Sequence, residues 1–121
     1  MSKILIIEDN MDVAGLLNDL LAQNNYETVV CYDGVQGREF AQREKPDLIL
    51  LDLMLPGGGG FFVLERLSLS SLTRNIPVVV LTASKDKEHR QKAIDMGVTA
   101  FVEKPYDNKQ LLTIIQGILN K

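Results

Sequence analysis

The segment 46-PDLILLDLMLPG-57 decides the fold of this chain. Residues 48–51 form a short, wholly apolar run that is bounded by turn-forming residues. A run of this kind is typical of a strand that is buried on both faces of a parallel sheet. Asp52 follows it directly. Because a buried carboxylate is costly unless a cation or a chemical task accounts for it, Asp52 marks a candidate site.

The rest of the chain repeats this pattern of apolar runs and helical segments. Five apolar runs predict strands, at residues 3–7, 27–32, 48–51, 78–81 and 100–102. Five intervening patterns predict helices, at residues 13–21, 35–43, 62–69, 85–96 and 108–119. Strict alternation of strand and helix predicts an α/β fold with a parallel sheet, in a single domain over residues 1–121.

Helical spacing also predicts which side chains face the core. In the first helix we expect five to point inward: Val13, Leu16, Leu17, Leu20 and Leu21. In the last helix we expect the same of Leu111, Leu112, Ile115, Ile118 and Leu119. Gly97 is predicted to stop the fourth helix.

Composition excludes several classes of protein. A formal charge of -3 argues against a nucleic-acid-binding surface, since basic patches hold phosphate backbones. The sequence has no apolar stretch of membrane-span length and no signal-peptide pattern, so no membrane association is expected. Cys31 is the only cysteine, which rules out an internal disulfide and favours a cytoplasmic setting. The only histidine, His89, lies in a charged stretch and is predicted on a solvated helix face.

Functional residue types stand at the ends of four predicted strands. Glu8 and Asp9 follow the first strand, Asp52 the third, Thr82 the fourth and Lys104 the fifth. Ligands of open α/β sheets bind outside the carboxyl ends of the strands, so we expect these side chains to meet. Three carboxylates in one cleft repel one another unless a cation such as Mg²⁺ is bound. The sequence therefore predicts a site for a divalent cation and a phosphoryl group.

Four segments in this order resemble the receiver domain of bacterial two-component response regulators. They are residues 4–10, with the acidic pair, 46–57, with Asp52, 77–83, with Thr82, and 101–105, with Lys104. The resemblance extends over essentially the whole chain. It implies a doubly wound, flavodoxin-like fold with strand order 2-1-3-4-5. It also implies a signalling domain rather than an enzyme, with only self-phosphorylation from a phosphodonor and slow autodephosphorylation.

The resemblance implies a role for each metal ligand. Asp9 and Asp52 hold Mg²⁺ by their side chains. Glu8 assists, through water, and Met54 supplies its backbone carbonyl. Asp52 is also the residue that accepts a phosphoryl group from a sensor histidine kinase or a phosphotransfer protein.

The remaining implied roles concern the phosphoryl group and the switch. Lys104 pairs with the phosphoryl oxygens, and its peptide bond to Pro105 is cis. Thr82 donates its hydroxyl to a phosphoryl oxygen, and Phe101 occupies the aromatic switch position. Phosphorylation then alters the face formed by the fourth helix, fifth strand and fifth helix. That face is expected to contact a downstream effector protein or domain, or a second copy of the chain.

The sequence departs from the family pattern at several positions. The family usually has an acidic or hydroxyl residue in place of Gly59 and often an apolar one in place of Gly58. The glycine run 57–60 is therefore predicted to be a flexible loop. Arg38 stands where a core leucine is common, which predicts a short or displaced second helix. Met54 and Ser84 flank the implied path of the hydrolytic water, and the apolar Met54 is predicted to slow loss of the phosphoryl group.

Three alternatives compete with this interpretation. A phosphatase of the haloacid dehalogenase class needs a second acid two residues after its nucleophile, and Met54 occupies that position. A nucleotide-binding protein is disfavoured because the glycine run 57–60 is not followed by Lys-Ser/Thr. A receiver-like interaction module that acts without phosphorylation is the remaining alternative.

Overall fold

A computed structural model describes residues 2–56 and 59–119 of the chain. Five strands alternate with five α-helices in this part of the chain. In chain order they are β1 (Lys3–Ile7), α1 (Met11–Gln23), β2 (Glu27–Cys31), α2 (Gly37–Glu44), β3 (Leu48–Asp52), α3 (Gly59–Ser68), β4 (Val78–Thr82), α4 (Lys87–Asp95), β5 (Ala100–Glu103) and α5 (Asn108–Leu119). The helices between the strands are the crossovers that a parallel sheet requires.

The five strands form one parallel sheet in the order β2-β1-β3-β4-β5. The predicted fold class and strand order are therefore confirmed. β1 and β3 lie inside the sheet, and four consecutive β1 side chains, residues 4–7, are fully buried. Their wholly apolar sequence suits burial on both faces.

A separate apolar core covers each face of the sheet. Alternate strand residues such as Leu5 and Ile7 pack with α2, α3 and α4 on one face. Their neighbours Ile4 and Ile6 pack with α1 and α5 on the other face. The carboxyl ends of the central strands are thus held between two packed layers.

The predicted inward faces of α1 and α5 are confirmed except at one residue. α1 buries Ala14, Leu17 and Leu21, whereas Leu16 is 72% exposed. In α5 Leu111 and Ile115 are buried, and three further predicted residues are partly buried and pack against the same core: Leu112, Ile118 and Leu119. The prediction is therefore wrong only at Leu16.

The glycine run is not simply the flexible loop that we predicted. Gly59 and Gly60 form the first turn of α3, while residues 57 and 58 lie outside the described part of the chain. A Cβ atom on Gly60 would lie 2.0 Å from the carbonyl oxygen of Leu53. Only glycine allows the start of α3 to pack this closely on the chain that leaves β3.

The second and fourth helices begin later than predicted. A 3₁₀ turn at Gly34–Gln36 precedes α2, which has eight residues and is therefore short, as Arg38 suggested. α4 begins at Lys87 because the Asp86 side chain accepts a hydrogen bond from the Glu88 amide and caps the helix there. Gly97 follows α4 with φ +88°, consistent with its predicted role as a stop. None of the described helices has the length and apolar character needed to cross a membrane.

Candidate functional site

The register of the sheet brings the predicted site residues to one edge. Ile7, the last residue of β1, pairs with Leu51 of β3. The next residues, Glu8 and Asp52, therefore lie beside each other at the carboxyl ends of these two strands. Asp52 in turn pairs with Leu81, the residue before Thr82. The carboxyl ends of β1, β3 and β4 therefore lie side by side at this edge of the sheet.

Three carboxylates form the centre of the site. Glu8, Asp9 and Asp52 each place one carboxylate oxygen within 4.8 Å of the oxygens of the other two. Glu8 is buried, Asp52 is partly exposed and Asp9 is exposed, so the cluster extends from the interior to solvent. A clustered set of acidic oxygens is the type of donor set that Mg²⁺ prefers.

The buried position of Glu8 changes its acidity. Desolvation raises the pKa of Glu8 to about 7, and the nearby charge of Asp52 adds to this increase. A hydrogen bond from the Asn10 amide to Glu8 Oε2, at 3.2 Å, acts in the opposite direction. Burial therefore disfavours the charged form of Glu8 near neutral pH, and a cation bound beside it would favour that form.

Lys104 supplies the cation of the site. Its Nζ atom lies 3.6 Å from Glu8 Oε1 and 3.9 Å from Asp52 Oδ2. The backbone amide of Lys104 donates to the Thr82 carbonyl oxygen at 2.7 Å, which continues the pairing of β5 with β4. The Lys104–Pro105 peptide bond is cis.

The two oxygens of Asp52 have different surroundings. Oδ1 accepts a hydrogen bond of 3.0 Å from the Met54 amide, and Oδ2 is the oxygen nearest to Lys104. The Met54 residue is itself 48% exposed. One oxygen is therefore fixed by the backbone, while the other faces the ammonium group.

Thr82 ends β4 and is fully buried. Its Oγ1 atom accepts a hydrogen bond of 3.0 Å from the Ser84 amide, and its own proton remains available for donation. The register places Thr82 one residue beyond the partner of Asp52. This position suits a hydroxyl that donates to a group attached to Asp52.

Phe101 lies in β5 and is partly buried. The guanidinium carbon of Arg90 is 5.3 Å from the centre of its ring. Arg90 and Lys85 both pair with Glu103, at 3.4 and 3.5 Å. Arg90 thus links α4 to β5 through polar and cation–π contacts, and among the residues of α4 only Ala93 is buried.

His89 has more contacts than the predicted solvated helix face implied. Its Nδ1 atom lies 3.0 Å from Ser84 Oγ, and its ring centre lies 5.7 Å from that of Phe61 in α3. The sequence prediction missed this link because Ser84 precedes α4 and Phe61 belongs to a different helix. Nothing in the local pattern of the 85–96 stretch indicates either contact.

The chain resembles known proteins along almost its full length. Residues 4–116 match the family described as "Response regulator receiver domain". The "Phosphate regulon transcriptional regulatory protein PhoB" of Escherichia coli is 34% identical over 119 residues. That alignment covers 98% of this chain and 52% of the relative, so the chain spans about half the length of this relative.

Solved structures of receiver domains share the fold. The receiver domain of sensor histidine kinase PA1611 from Pseudomonas aeruginosa, with a magnesium ion coordinated in the active-site cleft, superposes with a TM-score of 0.89. It is 26% identical, and the match covers 99% of this chain and 98% of that one. The BeF₃-activated receiver domain of Klebsiella pneumoniae RstA is 30% identical with a TM-score of 0.89, over 98% of this chain and 99% of the other. The chain therefore belongs to the response regulator receiver domain family of two-component signalling.

Proposed function

We propose that Asp52 is the phosphoacceptor of this receiver domain. The position of Lys104 is the observation that carries the proposal. Its ammonium group lies between the buried Glu8 and the Oδ2 atom of Asp52, beside the acidic cluster. A nucleophilic carboxylate, a fixed cation and a set of metal ligands are the parts that phosphoryl transfer to an aspartate needs.

The residues of the acidic cluster fit a magnesium ion. Asp9 and Asp52 would hold the ion by their side chains, Glu8 would assist through water, and Met54 would contribute its backbone carbonyl. Support comes from the close approach of the three carboxylates and from the raised pKa of Glu8, to which burial contributes most and the charge of Asp52 adds. When bound, Mg²⁺ would neutralise part of the charge on the carboxylates and on the transferred group.

The transfer itself is a displacement at phosphorus. The Oδ2 atom of Asp52 attacks the phosphorus of a phosphohistidine, an O–P bond forms, and the P–N bond breaks. The electron pair of that bond leaves with the imidazole of the donor. Lys104 stabilises the negative charge on the transferred oxygens, and the Thr82 hydroxyl donates to one of them.

The same contacts explain how a partner protein could distinguish the phosphorylated domain from the unphosphorylated one. Phosphorylation adds about -1.5 to -2 charges and three acceptor oxygens beside Thr82. Movement of Thr82 toward these oxygens affects Ser84 through their hydrogen bond and frees space near Phe101. Because α4 buries little apolar surface, a partner that prefers one arrangement of α4, β5 and α5 can shift their equilibrium.

The proposed partners are a sensor histidine kinase or phosphotransfer protein as donor and an effector protein or domain as target. A second copy of the chain, joined through the face of α4, β5 and α5, is a further proposed partner. The proposed setting is the cytoplasm. The E. coli relative is named a transcriptional regulator, but only 52% of it aligns with this chain, and direct nucleic-acid contact is not proposed here.

An interaction module that acts without phosphorylation is not favoured. Such a module has no need for a cation held beside a partly buried aspartate, or for a third carboxylate buried behind it. The intact site would be an unexplained cost in stability, because buried carboxylates are expensive.

Acetyl phosphate provides the direct test. The protein is incubated with acetyl phosphate and Mg²⁺, and the intact mass and the modified peptide are measured. We expect one added phosphoryl group, located on Asp52, which is lost when Mg²⁺ is removed or when Asp52→Asn is used. Asp19→Asn, an exposed aspartate of α1, is the matched control and should react like the wild type. Modification at another residue, or equal modification of Asp52→Asn, would refute the proposal.

A further inference from the structure

His89, the only histidine of the chain, contacts side chains of two different segments. Its Nδ1 atom lies 3.0 Å from the Oγ atom of Ser84, which belongs to the connection between β4 and α4. Its ring centre also lies 5.7 Å from that of Phe61 in α3, with an angle of 60° between the two ring planes. One imidazole therefore joins the connection that follows β4 to a different helix.

Ser84 connects His89 to the acidic site. Its amide donates to Oγ1 of Thr82 at 3.0 Å, while its own Oγ atom is the atom that contacts the imidazole. Thr82 is fully buried and lies one residue beyond the β4 partner of Asp52. Because the amide and the hydroxyl belong to one residue, a displacement of Ser84 that follows Thr82 also changes the distance between Ser84 Oγ and the imidazole.

The surroundings of the imidazole set the direction of its hydrogen bond with Ser84. Oδ2 of Asp86 lies 3.9 Å from Nε2, and this negative charge favours the tautomer that carries its proton on Nε2. Nδ1 is then an acceptor. The Ser84 oxygen accepts a hydrogen bond of 3.2 Å from the Asp86 amide, and its own proton is donated to Nδ1. Hydrogen bonds weaken steeply with misalignment, so a displacement of Ser84 alters the bonding of this ring nitrogen.

Phe61 contacts two side chains from one face of α4. His89 and Lys92 are three residues apart and therefore share a face of the helix. The Lys92 ammonium lies 4.4 Å from the Phe61 ring centre, within the range of a cation–π contact, and His89 meets the same ring at a tilt. Phe61 is partly buried and packs against the apolar core on this face of the sheet. A change in the position of the His89 ring consequently reaches packed side chains of α3, because such cores contain few voids.

We propose that His89 couples the phosphorylation state of Asp52 to α3. When the hydroxyl of Thr82 is drawn to a phosphoryl oxygen, Ser84 follows, its bond to Nδ1 weakens, and the imidazole changes its packing on Phe61. His89 acts through Ser84 and Thr82 and is thus a positioning residue. The inference rests on the function proposed for Asp52, and it adds α3 to the face of α4, β5 and α5 that responds to phosphorylation.

The test follows the imidazole and the Phe61 ring in the whole chain. Because His89 is the only histidine, a nitrogen-15 spectrum of imidazole nitrogens contains the signals of one residue. Spectra are recorded at constant pH in Mg²⁺, with and without saturating beryllofluoride. The fluorine-19 signal of the bound anion, which should be absent in Asp52→Asn, reports binding separately. We expect beryllofluoride to move the Nδ1 signal toward that of a nitrogen without a donor, and to shift the ring signals of Phe61.

Variants separate this route from effects that reach α3 along the chain from β3. Ser84→Ala removes the hydroxyl but keeps both rings, so the shift of Phe61 on addition of beryllofluoride should be lost. Ser84→Thr keeps a hydroxyl and should restore the shift. His89→Phe keeps a ring against Phe61 without Nδ1 and should lose the shift as Ser84→Ala does. Ser71→Ala, at an exposed position beyond α3, is the control and should respond like the wild type. All proteins are compared at saturation, so differences in affinity do not enter.

Two results would overturn the coupling while leaving Asp52 as the phosphoacceptor. A full Phe61 shift in Ser84→Ala or His89→Phe shows that α3 responds by another route. An Nδ1 signal that stays unchanged while the fluorine-19 signal records bound anion shows that Ser84 does not follow Thr82. If the wild type shows no fluorine-19 signal of bound anion, the function proposed for Asp52 fails and the coupling fails with it. Backbone spectra report whether each variant is folded, and the wild-type imidazole result stands without the variants.

Discussion

The Nζ atom of Lys104 lies 3.9 Å from Oδ2 of Asp52, the carboxylate oxygen that the Met54 amide does not contact. This relationship distinguishes the two oxygens of a single carboxylate. Attack through this oxygen would place the transferred phosphoryl oxygens beside the ammonium, and a fixed cation stabilises their negative charge more in a cleft than in water.

Replacement of Lys104 should therefore impair the reaction rather than the fold. Lys104→Met is expected to slow phosphorylation of Asp52 by acetyl phosphate by about 100-fold, the usual effect of losing one stabilising group. Intact mass measured over time gives the rate. Lys109→Met, which alters an exposed lysine of α5, is the control. Equal rates for the two variants would show that the ammonium has no part in transfer.

The stability of the metal-free protein should depend on the protonation of Glu8. The pKa of Glu8 is about 7 in the folded state and near 4.5 in the unfolded chain. Below pH 4.5 both states bind the proton, and as the pH rises the unfolded chain releases it first. The folded state consequently loses up to about 3 kcal/mol of stability until the pH passes 7.

Urea unfolding in EDTA measures this effect. The free energy of unfolding of the wild type, minus that of Glu8→Gln, should fall as the pH rises from the acidic range to beyond 7. Mg²⁺ in excess should reduce the fall, since a ligand that binds only the folded state stabilises it. If the two proteins show parallel stability curves, Glu8 is not the group that titrates.

Gly60 should be essential for stability. A Cβ atom there meets the Leu53 backbone at 2.0 Å, so Gly60→Ala requires α3 to move away from the chain that leaves β3. We expect a loss of about 3 kcal/mol or more, because a buried backbone cannot yield as a flexible side chain does. Gly117→Ala in α5 has open space around it and should stabilise by up to about 1 kcal/mol. Similar urea midpoints for both variants would contradict the packing at Gly60.

Met54 should control the lifetime of the phosphorylated state. It is apolar and 48% exposed, and its amide donates to Asp52 Oδ1, so we expect its side chain to limit the access of water to the acyl phosphate. Met54→Asn offers an amide that can hold the attacking water, and loss of phosphate should become several-fold faster. Leu69→Asn, at a 71% exposed position beyond α3, is the control. An unchanged rate of phosphate release after removal of the donor would exclude this role.

Thr82 should couple the site to α4. Addition of beryllofluoride and Mg²⁺ is expected to shift backbone signals mainly in Lys87–Asp95 and Ala100–Glu103. Thr82→Ala removes the hydroxyl that contacts the Ser84 amide and should reduce these shifts, while the affinity for the anion remains measurable. Thr113→Ala, an exposed threonine of α5, should leave them intact. Full shifts in Thr82→Ala would show that another residue transmits the change.

The fold could be predicted because its strands are wholly apolar and its connections are regular. Burial on both faces leaves runs such as residues 48–51 with no polar alternation, and this pattern is difficult to mistake. The same regularity allowed the cluster of Glu8, Asp9 and Asp52 to be predicted from strand ends alone. Side chains that follow parallel strands need no further information to meet at one edge.

Features that depend on contacts between distant elements could not be predicted. The spacing of its apolar residues predicts an apolar stripe on α1. That Leu16 in this stripe remains 72% exposed depends on where α5 and the sheet lie, which the spacing does not reveal. The helical start at Gly59 and Gly60 opposes local propensity and depends on close packing against Leu53. The buried Nε atoms of Arg38 and Arg66 have no hydrogen-bond partner in the described chain, and neither helix sequence alone indicates that these atoms are buried.

The position of Lys104 depends on an edge strand of the sheet. β5 is four residues long and hydrogen-bonds to β4 alone, yet Lys104 follows it directly. The carboxylates of Glu8 and Asp9 follow β1 and that of Asp52 ends β3, and both strands have neighbours on both sides. Fraying of this edge strand would move Lys104 away from Asp52 and prevent phosphorylation of the domain, while the other four strands stayed paired. A sample that is fully folded by far-ultraviolet circular dichroism can therefore contain a reactive and an inert fraction of molecules. Hydrogen exchange of the β5 amides would measure the size of each fraction.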